Sequence, residues 1–217
     1  MIARVWDQVV QTPSVDQTVV ATDSDKIAAF CGANNMNVVM TRSDHLTGSD
    51  RLAEVAKKIP ADIYVNVQGD EPLIEPASID AVSTCLLAAV ERGIEVSTGY
   101  ITVASDDQLD NPSVVHLVPA LDGTVITFSR FPVPYPQREA MQRTVHVGLY
   151  AFTAAALAKY AAWEQGPVEK SESVEILRFL EHGERVACVS VPPGSIGVDT
   201  PEDVIRVEAV LAERGPI

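Results

Sequence analysis

The stretch Val65-Asn66-Val67-Gln68-Gly69-Asp70-Glu71-Pro72 decides the fold, because it has the pattern of a buried strand that runs directly into an acidic loop. Ile63 and the two valines of the stretch are β-branched, as in strands of an α/β sheet. Gly69 permits a sharp turn or the close approach of a ligand. Asp70 follows the carboxyl end of the predicted strand, the edge where open α/β sheets bind ligands. An aspartate at this place can also cap a helix or brace a turn, so other features must decide its role.

Length and composition are those of one sizeable α/β domain. The chain has 217 residues, of which 47% are hydrophobic and 21% are charged. Its formal net charge of -14 argues against binding to nucleic acid or to an anionic membrane surface, since both select basic patches. A phosphate-bearing substrate would therefore need a metal ion and a few local arginines to overcome the field of the chain.

The three cysteines, Cys31, Cys85 and Cys188, lie in apolar contexts without the spacing of metal ligands. This pattern predicts buried, reduced thiols, as in a cytoplasmic protein. No stretch has the pattern of a signal peptide, and the apolar run 86–90 is far too short to cross a bilayer. We therefore expect a cytoplasmic protein that neither inserts into a membrane nor binds nucleic acid.

Strand and helix patterns alternate over the first half of the chain, and a hairpin-rich segment follows. An apolar stripe from Ile2 to Val10 predicts an opening helix, and Asp122-Gly123 predicts a hairpin turn between two short strands. This order predicts a mainly parallel sheet with an appended smaller sheet. Further helices are expected over 50–58, with Ser49 as a candidate N-cap, over 171–182, and after a capping box formed by Thr200 and Asp203.

A second acidic loop, Gly197-Val198-Asp199-Thr200, also lies between a predicted strand and a predicted helix. Taken alone, Asp199 is best explained by helix capping and by the helix dipole. Together, Asp70 and Asp199 are two carboxylates at strand-to-loop junctions that could converge on one hard cation. Mg²⁺ typically takes one or two carboxylates together with substrate phosphates and water. The spacing of the two residues leaves their convergence open.

Two other polar segments are candidates for substrate contacts. The loop from Arg42 to Arg51 is rich in hydrogen-bonding groups, so it could cradle a base or a ribose, or it could be an ordinary surface loop. Arg130 follows a predicted strand, where an arginine could bind a carboxylate bidentately or form a surface salt bridge.

The second half of the chain holds two further groups with a functional and a structural explanation. His146 and Tyr150 share one face of a predicted strand, either as ligand contacts or as structural residues. Glu172, Glu175 and Arg178 share one face of the predicted 171–182 helix. A solvated ladder of salt bridges explains this second group equally well.

Taken in order, these motifs resemble the 3-deoxy-manno-octulosonate cytidylyltransferases, also called CMP-Kdo synthetases, over essentially the whole chain. Residues 41–55 are similar to the cytidine-binding loop and helix of that family, and residues 65–72 to its metal-binding signature. The resemblance implies a Rossmann-like nucleotidyltransferase fold with three α/β/α layers, a mostly parallel sheet and a small additional sheet. The other matching motifs are Asn111-Pro112, Phe128-Ser129-Arg130, His146-Val147-Gly148-Leu149-Tyr150 and Val198-Asp199-Thr200-Pro201-Glu202-Asp203.

The resemblance also implies an activity, in which CMP is transferred from CTP to the sugar acid Kdo, or to a close relative of it, with release of pyrophosphate. The implied enzyme serves lipopolysaccharide biosynthesis, is cytoplasmic and homodimeric, depends on Mg²⁺, and has CTP and an acidic eight-carbon sugar as partners. By match to the motifs of the family, the metal would be held by Asp70 and Asp199, which would also act in catalysis. The nucleotide site would be lined by Thr47, Gly48, Arg51 and Gln68. The sugar would be contacted by Arg130, His146, Tyr150 and Glu175.

The chain departs from the family pattern in three places. The family begins with a first strand and a basic loop that grips the triphosphate, and residues 1–217 are expected to form a single nucleotidyltransferase domain without them. His116 stands where the family usually has Lys, and Ile176 stands where it usually has Gln beside Glu175, which leaves the sugar acid open. Two alternatives are a non-catalytic homologue that only binds sugar or pairs with an intact partner, and a nucleotidyltransferase for a sialic acid or a polyol phosphate.

Overall fold

The computed structural model describes residues 1–103, 111–198 and 200–214. Strands and helices alternate as far as β4, which confirms the predicted order. The helices are α1 Ile2–Val9, α2 Asp25–Ala33, α3 Gly48–Lys58, α4 Pro76–Val90, α5 Ala154–Ala162, α6 Pro167–Glu172, α7 Leu177–Glu181 and α8 Pro201–Arg214. The strands are β1 Val20–Thr22, β2 Val38–Met40, β3 Ile63–Val67, β4 Val96–Val103, β5 His116–Pro119, β6 Val125–Ser129, β7 Arg143–Thr153 and β8 Ala187–Ser190.

The larger sheet is assembled around β7. One edge of β7 pairs antiparallel with the whole of β4. On its other edge, the second half pairs antiparallel with β3, and the first half meets β5 where His116 is opposite Val145. β8 pairs parallel with β4, and β6 pairs antiparallel with β5. Thus β3, β4, β5 and β8 share one direction, which confirms the mostly parallel sheet, and the β5–β6 hairpin is the small addition to it.

Each face of β7 contributes to a separate apolar core, because successive side chains of a strand point to opposite faces. Leu149 and Ala151 face a core that α1 and α4 close. Tyr150 and Phe152 face a second core that α3, α5 and α7 close. Helices therefore cover both faces of the sheet, and the predicted three-layer α/β/α fold is confirmed.

β1 and β2 form a separate parallel pair, in register from Val20 opposite Val38 to Thr22 opposite Met40. Trp6 of α1 packs with Val20 in a third small core. Within the described ranges, β1 pairs only with β2 and β3 pairs only with β7. β1 and β3 line a cleft of about 1920 Å³, and the loop after β3 forms part of the wall of this cleft.

The predicted helix over 171–182 is wrong, because the chain forms two short helices there. α6 ends at Glu172, its C-cap Ser173 has a φ of 51° in the left-handed region, and α7 begins only at Leu177. Glu172 and Glu175 therefore do not share a helical face. The sequence marks this break with neither a glycine nor a proline.

The starts of two helices test the predicted capping residues. Thr47, not Ser49, is the N-cap of α3, and its hydroxyl oxygen accepts the Asp50 N–H at 3.1 Å. At α8, the Thr200 N–H donates to the Asp203 carboxylate at 3.0 Å, and the Asp203 N–H donates to the Thr200 hydroxyl at 3.3 Å. The predicted capping box is thus confirmed at α8, whereas α3 begins earlier than predicted.

The predicted free thiols are confirmed. Cys31 and Cys188 are buried and Cys85 is half-buried, and none of them forms a disulfide among the residues that the structure describes. Burial raises the pKa of Cys188 to about 12. In the same described ranges, no helix combines the length and the apolar character needed to cross a bilayer.

Leu149 tests the central place of β7 in the core, because its side chain is fully buried there. Leu149→Ala should lower the free energy of unfolding by about 2–5 kcal/mol, since it removes apolar contacts and leaves a cavity. Urea denaturation measures this loss. Leu87→Ala on α4 is the matched control, because that side chain is 59% exposed and its loss should change stability by only about 0.5 kcal/mol. Equal losses in the two variants would contradict the central position of β7.

Candidate active site

The cleft beside β1 and β3 collects residues that are far apart in the sequence. They come from the start of α3, the carboxyl end of β3, the residue after β6, the middle of β7 and the segment between α6 and α7. Asp199 lies outside the described residues. The predicted site residues that line the cleft are Thr47, Gly48, Arg51, Gln68, Asp70, Arg130, His146, Tyr150 and Glu175.

The first turn of α3 packs closely against β3 and Glu175. A Cβ on Gly48 would lie 3.2 Å from Nδ2 of Asn66 and 3.8 Å from both carboxylate oxygens of Glu175. A larger residue would therefore have to displace the Asn66 side chain, and glycine suits this close approach. The Ser49 N–H donates to Oε2 of Glu175 at 2.8 Å. Because the N-terminus of a helix favours a negative charge, the carboxylate is held at the start of α3.

Glu175 is a buried carboxyl group, only 9% exposed. Burial raises its pKa, while the hydrogen bond from the Ser49 N–H acts in the opposite direction. Across the described part of the chain, neither Oε1 of Glu175 nor Nδ2 of Asn66 has a hydrogen-bond partner. A buried polar atom without a partner costs roughly 1–3 kcal/mol, so a polar ligand atom or a water would be favourable here.

Arg51 connects α3 to the β1–β2 pair. Its guanidinium donates to the Thr41 hydroxyl and lies 3.3 Å from Oδ1 of Asp23. It also donates to the Arg42 carbonyl at 3.4 Å. Arg51 therefore carries a fixed positive charge to the cleft wall, in a chain whose net charge is -14.

Arg130 is held by main-chain carbonyls, whereas the sequence suggested a carboxylate or a surface salt bridge. Its Nε donates to the Glu172 carbonyl at 2.6 Å, and NH1 donates to the Pro112 carbonyl at 2.6 Å. NH2 donates to the Ser173 carbonyl at 3.4 Å. The Glu172 carboxylate accepts the Arg130 N–H at 2.8 Å. These contacts fix the charge of the guanidinium at the cleft wall.

His146 and Tyr150 lie on the same face of β7, as predicted, with ring centroids 5.2 Å apart in a stacked arrangement. Phe128 meets the imidazole edge-on at 5.2 Å, and Nε2 of His146 lies 2.9 Å from the Thr98 hydroxyl oxygen. Desolvation lowers the pKa of His146 to about 3 and raises that of Tyr150. Both side chains therefore present neutral hydrogen-bonding groups at neutral pH.

The two acidic loops of the sequence meet at the cleft. The Val198 N–H donates to the Asp70 carbonyl at 2.9 Å, and the Ser195 hydroxyl donates to Oε2 of Glu71. The residue before Asp199 is thus hydrogen-bonded to Asp70. Considering only the residues that the structure describes, no three or more His, Cys, Asp or Glu side chains form a group that could hold a metal ion.

The two substitutions relative to the family pattern fall in the core. Ile176 is fully buried in the core closed by α3, α5 and α7. His116 is fully buried on β5, opposite Ser129 and Val145. Both side chains therefore lie in the protein interior and do not line the cleft.

Sequence reasoning missed Asn66, Glu71 and Tyr160, which the structure places around the predicted residues. Asn66 carried one signal, since it is a polar residue between Val65 and Val67 in a strand that is otherwise apolar. Glu71 is adjacent to Asp70 in the same acidic loop. Tyr160 lies in an apolar helix pattern and gave no signal of its contact with Thr47.

Comparison with known families now places the chain. Residues 1–186 match the family model described as Cytidylyltransferase. The chain belongs to the cytidylyltransferase family. This match spans most of the described cleft, from α3 through β7 to α7.

Three curated relatives of this cytidylyltransferase are each named 3-deoxy-manno-octulosonate cytidylyltransferase. The protein of Syntrophotalea carbinolica (strain DSM 2380 / NBRC 103641 / GraBd1) is 38% identical over 221 residues, which covers 97% of this chain and 88% of the relative. That of Chlorobium limicola (strain DSM 245 / NBRC 103803 / 6330) is 40% identical over 216 residues, covering 97% and 86%. That of Anaeromyxobacter sp. (strain Fw109-5) is 41% identical over 217 residues, covering 98% and 86%.

Solved structures extend the comparison to three dimensions. The structure of CMP:2-keto-3-deoxy-manno-octonic acid synthetase complexed with CTP is 34% identical and superposes with a TM-score of 0.90, covering 99% of this chain and 88% of that one. The 4-diphosphocytidyl-2C-methyl-D-erythritol synthase of Anaerococcus prevotii DSM 20548 is 18% identical, with a TM-score of 0.61 over 97% and 88% of the two chains. The second likeness concerns the fold alone.

The neutral state of His146 predicts a loss of stability in acid. Its folded pKa of about 3 lies below the ordinary value of 6.5, so the unfolded chain binds a proton first as the pH falls. The free energy of unfolding should decrease from pH 6.5 towards pH 3, by about 1–2 kcal/mol between pH 7 and pH 5 from this group. Urea denaturation of the wild type and of His146→Asn at both pH values measures the difference.

His182→Asn is the control for this pH dependence, because His182 is exposed at the end of α7. The control should keep the acid slope of the wild type, and His146→Asn should flatten it. An unchanged slope in His146→Asn would show that the imidazole is not held neutral.

Proposed function

We propose that this cytidylyltransferase transfers CMP from CTP to the anomeric hydroxyl of 3-deoxy-manno-octulosonate (Kdo), which activates the sugar for lipopolysaccharide biosynthesis. One observation carries the proposal: eight predicted substrate residues and the predicted metal ligand Asp70 line a single cleft, in a chain that is 36–41% identical to Kdo cytidylyltransferases. The alternative of a homologue that only binds sugar is not favoured, since the relatives are named as enzymes across 97–100% of this chain.

The reaction is an in-line displacement at phosphorus. The anomeric oxygen of the sugar attacks the α-phosphorus of CTP and gives up its proton, and the bond between the α-phosphorus and the pyrophosphate oxygen breaks. The protein is asked mainly to position both reactants and to stabilise charge. In this assignment Thr47, Gly48, Arg51 and Gln68 bind the nucleotide.

The sugar acid would bind next to the nucleotide in the same cleft, because Glu175 adjoins the first turn of α3. Arg130 supplies a fixed positive charge for its carboxylate, since the guanidinium is held by three carbonyls. His146 and Tyr150 are neutral and suit hydroxyl groups. Glu175 has an oxygen without a partner among the described residues, and this oxygen can accept a hydroxyl.

Mg²⁺ is part of the proposal, with Asp70 and Asp199 as its carboxylate ligands. Asp70 suits a hard cation, because it is a carboxylate on the cleft wall, and its carbonyl is hydrogen-bonded to Val198, the residue before Asp199 in the sequence. Bound there, the ion would supply neutralisation of the phosphate charge. In a chain of net charge -14, such a contribution is needed for a triphosphate substrate.

A homodimer in the cytoplasm completes the proposal. Phe131 and Tyr135 are 77% and 84% exposed in the segment after β6, and Ile126 on β6 itself is 61% exposed. Large exposed apolar side chains on a strand and in the segment that follows it are typical of a surface that another subunit covers. Free thiols and a nucleotide substrate support a location in the cytoplasm.

The proposed activity is tested by pyrophosphate release from CTP in the presence of Mg²⁺ and Kdo. Release that requires all three components, together with formation of CMP-Kdo, is expected. Release with a sialic acid or a polyol phosphate in place of Kdo, and none with Kdo, would overturn the proposed acceptor. No release with any of these acceptors would favour the sugar-binding homologue.

Asp70→Asn tests the metal assignment within this assay. We expect kcat to fall roughly 100-fold or more, because the amide cannot replace the charge of a metal-binding carboxylate. Asp25→Asn is the matched control, since Asp25 is exposed in the first turn of α2 and should leave kcat unchanged. Full activity of Asp70→Asn would exclude Asp70 as a metal ligand.

Phe131→Asp tests the proposed dimer surface. A carboxylate in an apolar contact should convert the dimer into monomers, which sedimentation velocity detects as a halving of mass. Ile205→Asp on α8, where the native side chain is 68% exposed, is the control and should stay dimeric. A wild-type monomer, or a Phe131→Asp dimer, would contradict the assignment.

A further inference from the structure

Arg178 is a buried cation that the proposed reaction does not use. Its side chain, on α7, is only 2% exposed. The guanidinium forms two hydrogen bonds to the Glu169 carboxylate, with Nε donating to Oε2 at 2.8 Å and NH2 donating to Oε1 at 2.7 Å. NH1 donates to Oδ1 of Asp50 at 3.2 Å. Asp50 belongs to the first turn of α3, so Arg178 connects α7 to the edge of the nucleotide site.

Arg178 also holds the ring of Tyr160 on α5. The guanidinium carbon lies 3.8 Å from the centroid of that ring, within the range of a cation–π contact. NH1 donates to the Tyr160 carbonyl at 3.2 Å. Phe179 stacks with the ring at a centroid distance of 5.6 Å. These contacts leave the fully buried ring little freedom, so the position of its hydroxyl is fixed.

The Tyr160 hydroxyl reaches the cap of α3. Its oxygen lies 3.0 Å from Oγ1 of Thr47. The Thr47 hydroxyl donates to Oδ2 of Asp50 at 2.9 Å, and Oγ1 accepts the Asp50 N–H. Since a hydroxyl has one proton to donate, Tyr160 must be the donor to Thr47. Burial raises the pKa of Tyr160, which keeps this proton in place.

These contacts close a polar ring of four side chains. Arg178 holds Asp50 and Tyr160, Tyr160 donates to Thr47, and Thr47 donates to Asp50. Each oxygen of the Asp50 carboxylate accepts one of these bonds. Arg178 and Tyr160 are buried and Thr47 and Asp50 are half-buried, and a polar network whose hydrogen bonds are satisfied in this way favours one arrangement of its residues. The ring therefore fixes the first turn of α3 relative to α5 and α7.

We propose that Tyr160 and Arg178 are positioning residues for the nucleotide, because the ring they form with Thr47 and Asp50 holds the turn at Gly48 in place. The inference rests on the proposed function, since Thr47 and Gly48 are assigned to CTP. The turn is closely packed, since a Cβ on Gly48 would lie 3.2 Å from Nδ2 of Asn66. A displacement of this turn would therefore weaken the contacts that bind CTP.

Tyr160→Phe tests this role with the least disturbance, because it keeps the aromatic ring over Arg178 and removes only the hydroxyl. We expect the Kd for CTP, measured by calorimetry, and the KM for CTP to rise about threefold to tenfold, since one hydrogen bond to the cap is lost. The KM for Kdo and kcat should stay near the wild-type values. Amide hydrogen exchange at residues 48–50 should accelerate by a similar factor.

Tyr64→Phe is the matched control. Tyr64 is also a buried tyrosine with a bonded hydroxyl, which accepts the Ala61 N–H at 2.8 Å and donates to the Ile59 carbonyl at 3.0 Å. These bonds lie at the opposite end of α3. The control should lose a similar amount of thermal stability and keep the CTP affinity of the wild type. Equal CTP affinities in the two variants would overturn the inference.

Arg178→Lys gives a second test, because lysine keeps the charge and loses the fork that reaches Glu169 and Asp50 together. It should weaken CTP binding at least as much as Tyr160→Phe. Wild-type affinity in Arg178→Lys would contradict the role of the ring. If the wild type binds CTP and releases no pyrophosphate with Kdo, the proposed acceptor fails and the affinities still decide the inference. If the wild type does not bind CTP, both proposals fail.

Discussion

The antiparallel insertion of β7 between β3 and β4 is the constraint on which the rest of the structure depends. The hydrogen bonds of β7 engage β4 along one edge, and β3 and β5 along the other. Its side chains pack into both apolar cores, with Leu149 and Phe152 fully buried on opposite faces of the strand. Because His146 and Tyr150 belong to the same strand, the pairing that builds the sheet also places them beside the carboxyl end of β3.

Two arginines of this acidic chain are held in place by several hydrogen-bond acceptors each. Arg130 and Arg178 are each held by several acceptors, Arg130 by carbonyls and Arg178 by two carboxylates, two carbonyls and a ring. Burying a charge is unfavourable unless its hydrogen bonds are satisfied, and a satisfied buried pair adds little net stability. The contribution of such residues is therefore geometric, since they allow only one arrangement of the elements they join.

The break between α6 and α7 allows Glu172 and Glu175 to bond to two different parts of the cleft wall. Ser173 adopts the left-handed conformation, and the segment that follows separates Glu172 from Glu175. Glu172 accepts the Ser129 hydroxyl and the Arg130 N–H, whereas Glu175 accepts the Ser49 N–H at the start of α3. A continuous helix would have kept both carboxylates on one face, as the sequence suggested. The break lets two acids of one short segment hold two different walls of the cleft.

The sequence by itself determined the local elements, the cap of α8, the acidic loop after β3 and the ordered motifs of the family. These depend on residues that are neighbours in the chain, and so on periodicity, turn chemistry and spacing. Only the tertiary structure decided the partners of Arg130, the break at Ser173, the core positions of His116 and Ile176, and the ring around Tyr160. Each of these depends on contacts between segments that are distant in the sequence. The energy of such contacts exceeds local conformational preferences, and the contacts give no periodic pattern in the sequence.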